Sequence, residues 1–148
     1  MTGDWSVCGE KTCYLESPPL REGERERYET PRCSEREDTV YRHALAAIRC
    51  AMERGAGSHG LALIGGGDWN DGMNRVGAGG RGESVWLTWF LALVLRKFAP
   101  VCRHMEEPQL AEELLGRAEG YRKAAEAAWD GSWYRRGYFD SGAPLGTR

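Results

Sequence analysis

The spacing of apolar residues predicts a first helix over residues 34–54. Pairs of apolar residues recur there every three or four positions and form one face of a helix. These pairs are Val40/Tyr41, Ala44/Leu45, Ala47/Ile48 and Ala51/Met52. Ser34 and Glu37 fit a capping box, in which each side chain bonds a free backbone N–H group. Gly55 then suits the end of the helix.

A second helix is predicted over residues 83–99, and it is apolar on nearly every side. Such a helix has to be covered by other elements over most of its surface. We therefore expect neighbours that are missing from this chain or supplied by a partner. Glu83 is expected in the first turn, where a negative charge is favourable. The apolar run from Val85 to Leu95 is shorter than the ~20 residues that cross a membrane, so no membrane insertion is expected.

The remaining segments predict one more helix and two irregular ends. Residues 108–129 have apolar residues at helical spacing, and Pro108 suits a first turn. Residues 1–33 are expected to be extended or irregular, because a Pro-Pro pair would interrupt a helix. Residues 130–148 combine an aromatic run with turn residues, as in a short hairpin. Since no strands alternate with the helices, no parallel sheet is expected, and the predicted class is all-α with short irregular or hairpin segments at the ends.

A long glycine-rich loop, residues 55–82, separates the first two predicted helices. The chain has 20 glycines, and 11 of them lie in this loop. A long loop inside a compact domain is usually functional or disordered. The strong helices on both sides favour a functional loop.

Three familiar ligand-binding patterns do not fit this loop. Residues 77–82 spell G-x-G-x-x-G, but no convincing strand precedes them and none follows at the distance that a dinucleotide fold needs. The phosphate-binding pattern that ends in Gly-Lys-Ser/Thr is absent. A calcium loop starting at Asp68 would place Met73 at the sixth position and Gly79 at the twelfth, where glycine and glutamate are required. We therefore expect no metal ion and no organic cofactor.

Composition and charge exclude further classes of protein. Lys and Arg number 20 against 22 Asp and Glu, which gives a net charge of -2, whereas nucleic-acid binders are usually clearly basic. The chain begins without a basic segment followed by an apolar one, so no signal peptide is visible. The 5 cysteines lack metal-ligand spacing, and their odd number favours reduced thiols in the cytosol.

The centre of the loop, Asp68-Trp69-Asn70-Asp71, has a composition that suits carbohydrate. An indole ring can lie against the C–H face of a sugar, while Asp and Asn side chains hold its hydroxyl groups. A carboxylic acid can also protonate a glycosidic oxygen as the bond breaks. The alternative is a plain Asp/Asn/Gly turn with Trp69 anchored in the core. Composition alone leaves both interpretations open.

The loop sequence resembles glycoside hydrolase family 94, which contains cellobiose and chitobiose phosphorylases, β-1,2-oligoglucan phosphorylases and the phosphorylase-like domain of cyclic β-1,2-glucan synthases. The resemblance rests mainly on residues 60–77, which include Gly-Gly-Gly-Asp-Trp-Asn-Asp-Gly-Met-Asn-Arg-Val-Gly, and on residues 80–87. Residues 14–20 and 133–140 also resemble the family. The similarity runs from about Gly3 to the end of the chain. The loop motif resembles the β-1,2-glucan branch more than the cellobiose branch.

The resemblance implies a fragment of an (α/α)6 barrel and an inverting phosphorolysis of β-linked glucans to α-glucose 1-phosphate. Inorganic phosphate would be the co-substrate, and no cofactor would be needed. Asp71 aligns with the family's general acid, and Trp69 would line the sugar site. Asp68, Asn70 and Arg75 would shape the loop or touch the substrate. For Asp68, capping of loop amides and contact with sugar stay open, whereas for Arg75 a structural ion pair is favoured.

The resemblance also implies that the chain is part of a longer catalytic domain. The family's phosphate-binding residues lie downstream of the part represented here, so we expect the isolated chain to be inactive. The complete enzyme is expected to be cytoplasmic, or attached to the inner membrane if it is a cyclic glucan synthase, and family members are often homodimers. Two alternatives remain open. The chain is a remnant or binding module, or it belongs to an inverting glycosidase of another (α/α)6 family, which needs a second carboxylate.

Overall fold

Strand pairing organises the first of two compact units in the chain, Met1–Met52. The structure is a computed structural model that describes residues 3–24 and 27–146. Strand β1 (Lys11–Glu16) pairs antiparallel with β2 (Arg32–Thr39). Helix α1 (Val40–Glu53) follows β2 directly.

The predicted start of the first helix is wrong. Residues 34–39 belong to β2, where their backbone groups pair with β1 instead of closing helical turns. Ser34 bonds the backbone of Arg36 and forms no capping box. The side chain of Thr39 accepts the N–H of Arg42 at 3.2 Å and begins the helix. The apolar face of α1 does match the predicted pairs, since its buried residues are Tyr41, Leu45, Ile48 and Met52.

The two strands also bring two cysteines together. Cys13 and Cys33 form a disulfide, with their Cα atoms 5.6 Å apart. The expectation of five reduced thiols is therefore wrong for this pair, because the pairing of β1 with β2, whose register shifts between Cys13 and Leu15, brings two residues 20 positions apart within reach of each other. Cys8, Cys50 and Cys102 lie outside the disulfide.

Two long helices form the core of the second unit, Glu53–Arg148. Helix α2 (Val85–His104) packs against α3 (Pro108–Ala127). The side chains that they bury are mostly apolar: Val85, Thr88, Leu91, Ala92, Leu95, Ala99 and Cys102 of α2, and Ala111, Leu114, Ala118, Tyr121 and Ala125 of α3. Helix α3 begins at Pro108, as its sequence predicts.

Helix α2 is longer than the predicted 83–99, because it continues through Pro100 to His104. By length and composition alone it could cross a membrane, with a mean hydropathy of 1.5 in its best 18-residue window. Core helices of soluble proteins meet the same criterion, so this is weak evidence for a membrane span. The expectation that the apolar run is too short to span a membrane counted only Val85 to Leu95, whereas α2 extends to His104.

A small antiparallel sheet lies at the start of α2. Strand β3 (Glu83–Ser84) pairs with β4 (Gly137–Tyr138), which pairs in turn with β5 (Pro144–Leu145). The predicted hairpin in residues 130–148 is thus present as β4 and β5, and it is joined by a third strand from the end of the loop. The all-α prediction includes this hairpin but misses β3 and the pair β1 and β2, because these short strands carry no alternating apolar pattern.

Candidate functional site

The base of the glycine-rich loop is closely packed. Ile64 donates its N–H to the carbonyl of Gly82 at 2.9 Å, and Ser84 donates its N–H to Ala62 at 3.0 Å. A Cβ atom on Gly82 would lie 2.3 Å from the carbonyl oxygen of Val76, so only glycine fits there. The loop is therefore held at its two ends rather than hanging freely.

Asp68 lies in a polar cluster at this base. Nη2 of Arg136 lies 2.7 Å from both carboxylate oxygens of Asp68. The hydroxyl of Ser84 donates to the same carboxylate at 2.6 Å, and the N–H of Asn70 donates to it at 3.0 Å. The side chain of Asp68 is 0% exposed. Of the two roles left open for Asp68, this geometry favours the structural one, because the carboxylate bonds the loop amide of Asn70 and neither oxygen reaches solvent.

The surroundings of Asp68 act on its pKa in opposite directions. Burial raises the pKa, since it disfavours the charged form. The hydrogen bonds from Arg136 and Ser84 and the charge of Arg136 stabilise the carboxylate and outweigh burial. The pKa of Asp68 is consequently lower than its ordinary value of 3.8.

The tip of the loop exposes the other predicted site residues. The side chain of Asn70 accepts the N–H of Gly72 at 3.0 Å and begins a single 3-10 turn, Asp71–Met73. Asp71 is exposed at the start of this turn, and Asn70 is exposed as well. Trp69 is 83% exposed. The alternative in which Trp69 is anchored in the core is therefore wrong for this structure.

An apolar surface cavity of about 610 Å³ lies beside the indole of Trp69. It is lined by Asp68, Trp69, Trp86, Leu87 and Phe90. The ring centres of Trp69 and Trp86 are 6.4 Å apart, and those of Trp86 and Phe90 are 5.4 Å apart. Asp71 is not among the residues that line this cavity, so the predicted acid lies outside this cavity wall.

Arg75 is exposed near the end of the 3-10 turn. No carboxylate in residues 3–24 or 27–146 forms an ion pair with it, so the favoured structural ion pair is not found there. Its guanidinium group is therefore accessible to an anion or to sugar hydroxyl groups.

Asp140 binds backbone N–H groups of the G-x-G-x-x-G segment. Its carboxylate accepts the backbone N–H groups of Gly79, Arg81 and Gly82 at 2.7, 2.8 and 2.9 Å. In a dinucleotide fold such N–H groups would bind phosphate, but here a carboxylate of the same chain occupies them. These bonds hold the pKa of Asp140 below 3.8. The sequence signalled only a turn at Asp140, because its partners lie about 60 residues away.

Glu83 differs most from its prediction. It precedes α2 rather than lying in its first turn, and it is 1% exposed. Its carboxylate accepts the N–H groups of His59 and Leu61 and bonds Nδ1 of His59. The imidazole of His59 stacks on Tyr138 with ring centres 3.7 Å apart. Glu83 therefore ties the start of the loop to the sheet, whereas Ser84 is the cap of α2.

A family model described as the glycosyl hydrolase 94 superfamily, catalytic domain, matches residues 11–148. The chain is 43% identical over 148 residues to the cyclic beta-(1,2)-glucan synthase NdvB of Rhizobium meliloti. This match covers 99% of the chain and 5% of that protein. It is 44% identical over 114 residues to 3-O-beta-D-glucopyranosyl-beta-D-glucuronide phosphorylase of Paenibacillus borealis, covering 74% of the chain and 14% of that protein.

Solabiose phosphorylase of Paenibacillus borealis is 39% identical over 148 residues, covering 99% of the chain and 17% of that protein. The chain thus spans between 5% and 17% of the length of these three relatives.

Proposed function

We propose, because the chain belongs to the glycosyl hydrolase 94 superfamily, that it is part of the catalytic domain of a glycoside phosphorylase. The enzyme would cleave β-linked glucans with inorganic phosphate and release α-glucose 1-phosphate. The observation that carries this proposal is the family match over residues 11–148, which includes the whole glycine-rich loop. Relatives named as phosphorylases support phosphate as the co-substrate.

The segment would contribute part of an (α/α)6 barrel. Two long helices, α2 and α3, pack side by side in it. One side of α2 is exposed at Trp86, Phe90 and Leu93, whose exposed fractions are 39%, 50% and 51%. Further helices of the barrel would cover this side, as the apolar character of α2 requires.

Asp71 would act as the general acid. Its proton would pass to the glycosidic oxygen as the bond from that oxygen to the anomeric carbon breaks. An oxygen of phosphate would attack the anomeric carbon from the opposite face, which inverts its configuration. Exposure of Asp71 at the tip of the loop supports this role, because the carboxyl group is open to a ligand.

Trp69 would stack on a sugar ring next to the cleaved bond, and its 83% exposure supports that role. Asn70 and Arg75, both exposed on the same loop, would contact sugar hydroxyl groups or phosphate. Asp68 would hold the loop from beneath.

A glycosidase that uses water would need a second carboxylate as base, some 6.5–9.5 Å from the acid. Within the described part of the loop the other carboxylate is Asp68, whose two oxygens are occupied by Arg136, Ser84 and Asn70. This occupancy supports phosphorolysis over hydrolysis by this loop.

The replacement Asp71→Asn tests the role of the acid in a complete catalytic domain that contains this segment. We expect phosphorolysis to fall by about 10²–10⁴-fold, because the amide cannot donate the proton. The measurement is the release of α-glucose 1-phosphate from a β-1,2-glucan, with and without phosphate. Glu35→Gln, which changes an exposed carboxyl group on β2, is the matched control and should keep full activity.

Undiminished phosphorolysis by Asp71→Asn would refute the assignment of the acid. Release of free glucose at the same rate without phosphate would instead indicate a glycosidase.

A further inference from the structure

Three segments that are distant in the sequence meet at one cluster of side chains. Arg136 bonds Asp68, 68 residues away, and its Nη1 donates to the hydroxyl of Ser84, 52 residues away, at 3.0 Å. The hydroxyl of Ser84 also accepts the N–H of Leu87 at 3.0 Å and so caps α2. The guanidinium group of Arg136, the residue just before β4, therefore links the loop to the start of α2.

The cluster has no spare capacity for another ligand at Asp68. Each oxygen of that carboxylate accepts two bonds, Oδ1 from Asn70 and Arg136, and Oδ2 from Ser84 and Arg136. The hydroxyl of Ser84 uses its donor and both lone pairs. Such a satisfied network selects one arrangement of its members, because any shift leaves a buried polar group unpaired.

Arg136 is itself held by the backbone on both sides. Its N–H donates to the carbonyl of Leu145 at 2.9 Å, and its carbonyl accepts the N–H of Val85 at 3.2 Å. A Cβ atom on Gly146, the residue after β5, would lie 2.9 Å from the nitrogen of Arg136, so the backbone also packs closely there. The backbone of Arg136 is thus fixed in place, and its guanidinium group reaches the loop from this fixed position.

We infer that Arg136 is a positioning residue, which fixes the loop bearing Trp69 and Asp71 by holding Asp68. The inference rests on the proposed function in so far as Asp71 is the acid. Asn70 bonds Asp68 directly, and Asp71 follows it in the chain, so movement of Asp68 displaces the carboxyl group of Asp71. A displacement of about 1 Å can cost ~10²-fold in rate.

Two variants of Arg136 distinguish the effect of its charge from the effect of its bond to Ser84. Arg136→Met removes the charge and both nitrogens, while Arg136→Lys keeps a cation for Asp68 but lacks the second nitrogen that reaches Ser84. Arg135→Met is the matched control, because the neighbouring arginine bonds the hydroxyl of Tyr138 and not Asp68. Asp68→Asn, alone and combined with Arg136→Met, tests whether the two residues act as a unit.

The first measurement is hydrogen exchange in the 148-residue chain, which needs no activity. In Arg136→Met we expect the amide of Asn70 to exchange at least about tenfold faster, while amides inside α3 keep their rates. Arg136→Lys should lie between Arg136→Met and the unmodified chain. Arg135→Met should leave the exchange at Asn70 unchanged.

The second measurement is phosphorolysis by a complete catalytic domain with the same substitutions. We expect Arg136→Met to lower kcat by about 10–10²-fold with a smaller change in KM, because the acid is misplaced while sugar still binds. The double variant with Asp68→Asn should lose no more than Arg136→Met alone.

Unchanged exchange at Asn70 in Arg136→Met would overturn the inference. So would equal acceleration inside α3, or additive losses in the double variant, because either result describes general destabilisation. If Arg136→Met does not fold, Arg136→Lys decides by the same criteria. Absence of phosphorolysis in the unmodified domain refutes the proposed function, whereas the exchange measurement still decides whether Arg136 positions the loop.

Discussion

At the scale of single residues, two carboxylates of one loop have opposite surroundings. Asp68 is 0% exposed beneath Arg136 and Ser84, whereas Asp71 is exposed at the tip. The same type of side chain therefore lies in two different environments within four residues. A buried and bonded carboxylate holds the backbone, and an exposed one is available to a ligand.

The pair Asp68 and Arg136 should make stability depend on pH. Because the pKa of Asp68 is lower in the folded chain than its ordinary 3.8, its contribution is complete above that value and is lost as the pH falls through the folded pKa. We expect Asp68→Asn to lower the free energy of unfolding by up to ~3 kcal/mol at neutral pH. The difference from the unmodified chain should shrink below pH 3.8.

Denaturant titrations between neutral and strongly acidic pH measure this difference. Glu35→Gln, the same chemical change at an exposed site, controls for general effects of charge. A difference between Asp68→Asn and the unmodified chain that stays constant through acid would contradict the role of the ion pair.

At the scale of elements, the loop is attached to the rest of the second unit by very short strands. Glu83 lies opposite Tyr138, and Ser84 lies opposite Gly137. Close approach of these backbones depends on Gly137, since a Cβ atom there would lie 2.2 Å from the carbonyl oxygen of Glu83. The strands β3 and β4 can therefore pair this closely only because residue 137 has no side chain.

Gly137→Ala should separate β3 from β4. We expect a loss of about 1–3 kcal/mol in the free energy of unfolding, because the methyl group forces the two backbones apart. Gly120→Ala is the contrasting variant, since Gly120 is exposed in α3 with nothing within 4 Å of a new Cβ atom. It should raise stability by up to ~1 kcal/mol, because alanine favours a helix. Urea denaturation of both variants measures the two signs, and a neutral Gly137→Ala would contradict the proposed packing.

At the scale of the whole chain, a continuous apolar surface is exposed on α2. Trp86, Phe90 and Leu93 lie along one side of the helix and are 39%, 50% and 51% exposed. Contiguous exposed apolar groups of this kind mark surfaces that associate with other protein. In the (α/α)6 barrel proposed above, further helices would cover them.

The isolated chain should therefore self-associate through α2. We expect Phe90→Gln combined with Leu93→Gln to lower the average mass in sedimentation experiments, because both side chains lose their apolar contacts. Leu20→Gln, at a separate leucine that is 50% exposed, is the control and should not change the mass. A monomeric unmodified chain would contradict this prediction.

Local patterns in the sequence determined the helices of both units. The periodic apolar residues predicted α3 from Pro108 and the buried face of α1, since side chains three and four positions apart share one side of a helix. The motif around Asp71 indicated the family, which the match over residues 11–148 confirms. The high glycine content predicted the loop. It did not predict the close backbone contacts for which individual glycines are required.

Tertiary structure alone decided which residues hold the loop. Pairing of β2 with β1 took residues 34–39 away from the predicted helix. Arg136, Asp140 and Glu83 found partners 68, about 60 and 24 residues away. Periodicity reports only on neighbours within a few turns of the chain, whereas these bonds form because the folded backbone brings remote segments together. For the same reason, the sequence identified two candidate carboxylates, and only folding buried one of them and exposed the other.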